Sequence, residues 1–218
     1  MAELCDNKSV GMIITDGDRL LMIDRGNYPR CKALPAGHLD GGSYPEMAIT
    51  EVSQEVGLEV PMRDLLLAFG EMQSVDGIAI GNPCKREGGS NHKWRVYRLA
   101  GPPPTLELKA GDDAKQAFWA TRDEWQHYAI RTEYFFSKLG LSWTEVGALT
   151  LAVFGDPKTG PVTDEEKIFY AEWESDPGLE PVWYYVLRMA NFFDWTFQNA
   201  PVKKVAAPVP ADEVPDGN

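Results

Sequence analysis

Two glutamates, Glu51 and Glu55, stand four residues apart in Thr50-Glu-Val-Ser-Gln-Glu-Val, so on a helix they lie one turn apart on one side. Carboxylates at that spacing can share a hard divalent cation, which takes one or two protein acids and leaves its other positions to water or phosphate oxygens. The commoner fate of such a pair is a solvated helix face. Basic residues form two further groups. Arg25, Arg30 and Lys32 precede a glycine-rich turn, and Lys85, Arg86, His92, Lys93 and Arg95 gather around a long polar loop. Either group can meet phosphate oxygens through charge-assisted hydrogen bonds, and either can be solvated surface. His38, inside the glycine turn, is also placed to reach a phosphate.

The bulk properties restrict what these groups could serve. A net charge of -12 over 218 residues makes the surface as a whole repel nucleic acid and anionic membrane. A polyphosphate would therefore need local basic residues or a bound metal, and bulk nucleic-acid binding is not expected. Three widely spaced cysteines, Cys5, Cys31 and Cys84, are an odd number and point to a reducing compartment, the cytoplasm by default. The first residues have neither a basic segment nor an apolar run, and nowhere are there about eighteen consecutive apolar residues, so neither export nor a membrane span is expected. Cys84 and His92 offer two ligands of the four a structural zinc site needs, but the other cysteines and histidines supply no pair at a recognisable spacing, so no zinc site is expected. Nor do three histidines assemble into a nucleophile triad. Trp94, Trp119, Trp125 and Tyr128 could stack on a base, although such aromatics are more often core.

The elements that must position these residues are legible in outline. Apolar runs at Val10–Thr15 and Leu20–Asp24, parted by Asp16-Gly17-Asp18, predict a β-hairpin. After the glycine turn at residues 36–42, Ser43 and Glu46 form a capping-box pattern and Gly57 is suited to end a helix in the left-handed region. On that helix Ala48, Ile49, Val52 and Val56 face one way, and Glu51, Gln54 and Glu55 another. Strands are expected at Leu65–Met72, Trp94–Leu99 and Gln116–Ala120, with a capped helix beginning at Thr121. Residues 131–198 carry aromatic and aliphatic residues at helical spacing, broken at Gly155–Pro161, and predict two or three helices packed on the domain. The Ala-, Pro- and acid-rich stretch from residue 199 predicts a disordered tail.

The segment Pro35-Ala-Gly-His-Leu-Asp-Gly-Gly-Ser-Tyr-Pro-Glu-Met-Ala-Ile-Thr-Glu-Val-Ser-Gln-Glu-Val-Gly-Leu resembles the Nudix box, G-x5-E-x7-R-E-U-x-E-E-x-G-U with U aliphatic. Gly37, Glu51, Glu55, Gly57 and Leu58 match it. Ser43 stands in place of the loop glutamate, Thr50 in place of the arginine and Gln54 in place of the first acid of the final pair, with one residue fewer between Ser43 and Thr50.

The resemblance implies a Nudix-type α/β/α sandwich with a mixed sheet over residues 1–130, to which the helical spacing of residues 131–198 adds a C-terminal helical extension. It implies Mg²⁺ or Mn²⁺ held by Gly37, Glu51, Gln54 and Glu55, with Glu55 or a water it orients as base. The activity implied is pyrophosphohydrolysis of a nucleoside diphosphate linked to another moiety: ADP-ribose, a dinucleotide, a nucleotide sugar or a nucleoside triphosphate. The three substituted positions leave a second reading open, a nucleotide-binding or regulatory module with weakened catalysis. Arg25, Arg30, His38 and Lys93 are candidate substrate contacts. Asp112 and Asp113 stand where some relatives place an extra acid, though a Gly-Asp-Asp turn explains them as well. Oligomeric state is open.

Overall fold

The computed structural model of the chain describes residues 4–69, 77–111 and 114–193. Asp112, Asp113, part of the Leu65–Met72 segment and the expected tail lie outside the described residues. Nine strands are described: β1 (Lys8–Ile13), β2 (Thr15–Asp16), β3 (Arg19–Arg25), β4 (Lys32–Ala33), β5 (Ala36–His38), β6 (Leu65–Leu67), β7 (Ile78–Gly81), β8 (Asn91–Leu99) and β9 (Ala114–Ala120). Five helices join them: α1 (Tyr44–Val56), α2 (Arg122–Lys138), α3 (Val146–Phe154), α4 (Asp164–Ser175) and α5 (Pro181–Met189).

The strands form two sheets. One runs β5-β1-β8-β6 with β7 also on β8, and is mixed because β1 and β8 are parallel while the other pairs are antiparallel. The other runs β2-β3-β4 with β9 on β3. The predicted hairpin is realised only at its tip. Gly17, at φ 63°, turns β2 onto β3, whereas β1 leaves for the first sheet. Val10, Met12, Ile14 and Leu20 to Ile23 are all buried, so these runs are central strands with two covered faces and not a half-exposed ribbon.

Helix α1 lies across β1 and β5 and buries Ala48, Val52 and Val56 there. Gly57 ends it at φ 73°, as its sequence position predicts. Its start is different: Ser43 occupies the cap position in extended backbone, but its hydroxyl meets the Glu46 carboxylate at 2.6 Å and caps no amide. The full reciprocal box forms instead at Thr121 and Glu124, which open α2, and at Thr163 and Glu166, which open α4.

The last three helices are tied to the sheets by large aromatics. Trp183 of α5 is fully buried, and a Cβ on Gly11 of β1 would stand 2.5 Å from its ring, so β1 needs glycine at that contact. Trp173 of α4 packs among Phe135 and Phe154. Between α4 and α5 the chain pairs with β4: the Lys32 amide donates to Gly178 at 3.0 Å, and the Glu180 amide donates to Lys32 at 2.7 Å. That short ladder brings Glu180, the residue preceding α5, to the ends of the strands.

Candidate active site

The acid face of α1 looks onto the turn between β4 and α1. Burial of Ala48, Val52 and Val56 fixes the helix rotation and brings the next face, with Glu51 and Glu55, against the backbone of β5. A Cβ on Gly37 would lie 2.0 Å from the Glu51 carboxyl carbon, so the carboxylate occupies the space that only glycine leaves. One turn on, the Glu55 carboxylate accepts the Ala36 amide at 2.9 Å. Glu51 is half-buried, Gln54 exposed and Glu55 buried. These residues form the floor of a cleft of about 500 Å³ whose walls include Arg25, Tyr28, Lys85, Arg86 and Trp94.

Burial dominates the electrostatics of this floor. Desolvation pushes the Glu55 carboxyl up to about 8, opposed by Arg25 and the Ala36 amide and reinforced by the neighbouring charges of Glu51 and Glu180. Glu180 is buried too and is raised by desolvation, with Arg25 pulling the other way. Arg25 spans the site: it lies 3.8 Å from the Glu180 carboxylate and donates to the Tyr28 carbonyl at 3.2 Å. Several acids crowd around one half-buried arginine, a balance that an added cation shifts toward ionised carboxylates. The donors are hard oxygens and the Gly37 position leaves a backbone cradle, so the residues fit a Mg²⁺ or Mn²⁺ ion.

Several expected contacts are brought here. Gly37, Glu51, Gln54 and Glu55 come together, and Arg25 and His38 line the same cleft. Two candidates go elsewhere. Lys93 is exposed because it alternates with the inward-facing His92 and Trp94 along β8, so it points to the opposite side of the sheet. Arg30 pairs with Glu174 of α4 at 3.2 Å and does not line this cleft. Lys85 and Arg86, from the loop after β7, supply basic wall residues in their stead, and Arg86 forms a two-pronged pair with Asp40. Asp112 and Asp113 lie outside the described residues, although Gly111 just before them donates its amide to the Glu55 carbonyl at 3.0 Å.

Other residues had no signal in the sequence. Glu180 comes from 125 positions beyond Glu55, the difference of 180 and 55, carried in by the ladder with β4. Tyr28 is pushed upward by burial and by nearby acids, and its hydroxyl donates to the Gly155 carbonyl at 3.0 Å. Sequence spacing supplies no set of four cysteine and histidine ligands, yet Cys5, His38, Cys84 and His92 place one ligand atom each within 4.8 Å of one another, three of them lining the cleft. The strand register brings them together, which spacing along the chain does not display.

The fold is similar to several solved structures, at low identity. A MutT/nudix family protein from Enterococcus faecalis shares 21% identity over 52% of this chain and 42% of its own, with a TM-score of 0.37. A bifunctional NMN adenylyltransferase/ADP ribose pyrophosphatase from Francisella tularensis, complexed with AMP and a manganese ion, shares 19% over 62% of this chain and 42% of its own, TM-score 0.38. The dihydroneopterin triphosphate pyrophosphohydrolase of E. coli shares 18% over 59% of this chain and 87% of its own, TM-score 0.45. The chain thus spans about two fifths of the length of the first two. No curated protein sequence matches it. Among the described residues no helix is long and apolar enough to cross a membrane. The NUDIX domain model matches residues 6–138, more than half of the chain and the segment that carries Gly37, Glu51, Gln54 and Glu55, and with its mixed α/β architecture this chain belongs to the Nudix family.

Proposed function

We propose that the chain is a divalent-metal-dependent pyrophosphohydrolase acting on a nucleoside diphosphate linked to another moiety, the class that spans ADP-ribose, dinucleotides, nucleotide sugars and nucleoside triphosphates. The observation that carries this reading is the seating of Glu51 and Glu55 against the Ala36–Gly37 backbone beneath the cationic side chains of Arg25, Lys85 and Arg86. Glu51 and Glu55 are the residues that would hold Mg²⁺ or Mn²⁺, with the Gln54 amide oxygen and the Gly37 carbonyl as neutral donors. Such an ion supplies neutralisation of diphosphate charge and acidification of water.

The remaining work falls to the chain. Glu55, directly or through a water it orients, takes the proton of the attacking water as its oxygen bonds to phosphorus and the bridging oxygen leaves with the other phosphate. Burial raises the basicity of Glu55 toward neutral pH, the direction a general base needs. Arg25, Lys85 and Arg86 meet the phosphate oxygens and His38 lines the approach to them, while Trp94 offers an aromatic wall. Residues 1–130 form the catalytic domain in this reading, and the region that follows completes its cleft by bringing Glu180 to Arg25. Three free thiols support a reducing compartment such as the cytoplasm.

A second reading, a nucleotide-binding or regulatory module with weakened catalysis, is favoured by one local feature. Thr50, in the arginine position of the box, turns its hydroxyl to the Glu46 carbonyl at 2.9 Å, and Gln54 brings no charge. Phosphorus NMR on the substrate panel, in water enriched in heavy oxygen and with Mg²⁺ or Mn²⁺, separates the two. Hydrolysis splits the substrate into two phosphate-bearing products, one of which carries the heavy oxygen. A thermal shift with ADP-ribose and no product from any substrate would replace the hydrolase by the binding module.

A further inference from the structure

Outside the acid floor, the cluster of Cys5, His38, Cys84 and His92 has the composition and closeness of a closed metal site. We propose that these four side chains bind one Zn²⁺ ion as a structural Cys₂His₂ centre, separate from the hard-ion site of Glu51 and Glu55.

The sheet register builds the cluster. His38 ends β5 opposite Ser9 of β1, and His92 lies on β8 one residue before Lys93, which stands opposite Lys8 of β1. The two imidazoles thus approach from either side of β1, with ring centroids 5.2 Å apart. Cys5 comes from the segment leading into β1 and Cys84 from the loop between β7 and β8. Their sulfurs are 3.6 Å apart, and Cys5 Sγ lies 3.1 Å from His92 Nε2. Zn–S bonds of ~2.3 Å and Zn–N bonds of ~2.0–2.1 Å at tetrahedral angles set ligand-to-ligand edges of about 3.3–3.8 Å. All four ligand atoms lie within 4.8 Å of one another, so closing the widest edge takes a shift of at most about 1.5 Å.

The surroundings favour an ion over packed neutral polar groups. His38 Nε2 is buried without a hydrogen-bond partner among the described residues, which is costly for a nitrogen that ligates nothing. The Asn7 backbone amide donates to Cys5 Sγ at 3.3 Å, the kind of outer hydrogen bond that orients a ligating sulfur. Gly89 also fits: a Cβ there would stand 2.1 Å from Cys84 Sγ, so the loop backbone wraps the sulfur closely. Two thiolates and two imidazoles suit Zn²⁺ and not Mg²⁺, and four protein ligands leave no open position, as in structural sites. Bound there, the ion would fasten the segment before β1, the end of β5 and the loop that carries Lys85 and Arg86 to the start of β8.

The test is metal analysis of the full chain produced in zinc-supplemented medium, with Co²⁺ substitution as the spectroscopic reading. One zinc per chain is expected, with an intense sulfur-to-cobalt charge-transfer band in the Co²⁺ form. Glu51→Gln should keep that zinc, while Cys84→Ser and His92→Ala each lose it. Removal of zinc by a chelator should lower Tm of the wild type and leave Tm of Cys84→Ser unchanged, which keeps the result readable if one variant folds poorly. Substoichiometric zinc, zinc lost in Glu51→Gln but kept in Cys84→Ser, or a Cys5–Cys84 disulfide found by thiol titration and mass analysis would each overturn the proposal.

Discussion

At Glu55 a carboxylate that sequence places on an acidic helix face is folded into the protein. Its proton is retained to about pH 8 in the metal-free chain, whereas an unfolded glutamate releases it near 4.5. The folded state then binds more protons across that window, so its stability is full below the unfolded value and falls as pH rises toward the folded one. A divalent cation needs the deprotonated acid and restores what is lost. The Tm gain from saturating Mg²⁺ should therefore be larger at about pH 8 than at about pH 6, as a thermal melt series would read; an equal gain at both would mean that Glu55 does not bind the ion. Gly37→Ala should act on the companion acid. Its Cβ would stand 2.0 Å from the Glu51 carboxyl carbon, so the side chain must leave. Turnover should drop by about 100-fold with the fold retained in circular dichroism, since a misplacement of about 1 Å can cost that much.

The elements show why some of this was legible and some was not. Helix ends are local, so Gly57 and Thr121 were readable from a few neighbouring residues, and α1 brings Glu51 and Glu55 to the same floor because its apolar stripe sets its rotation. Ser43 carried the same cap pattern, yet its hydroxyl is turned to Glu46 by local geometry that residue types do not encode. The hairpin expected from Val10 to Asp24 was a reading of apolar runs, and such runs do not say which sheet a strand joins. Lys93 was grouped with His92 by charge, but neighbours on a strand face opposite ways. The side chain that ties the late helices to the mixed sheet is Trp183, in edge-to-face contact with Trp94 at 5.9 Å. Trp183→Ala should cost about 3–5 kcal/mol in chemical denaturation. Loss of turnover beyond the loss of folded fraction would show that α5 also holds the cleft wall.

Across the whole molecule the site is assembled from parts distant in the chain. The acids come from α1, the basic wall from the loop before β8, and Glu180 from beyond α4. The family motif disclosed the first of these, because its ligands fall within one helix and the turn before it. Glu180 and the Cys5, His38, Cys84 and His92 cluster stayed hidden since only strand pairing brings them near. The region after residue 140 is therefore more than a cover: a two-hydrogen-bond bridge to β4 from the segment between α4 and α5 delivers a buried acid to Arg25. The most direct measurement is the initial rate of diphosphate cleavage against Mg²⁺ and Mn²⁺ concentration for the wild type, Glu51→Gln and Glu55→Gln, with the fold of each checked by its melt. Metal-dependent cleavage that falls by at least about 100-fold in both variants is the predicted result, and cleavage that is metal-independent or unchanged in both would contradict the assignment of Glu51 and Glu55.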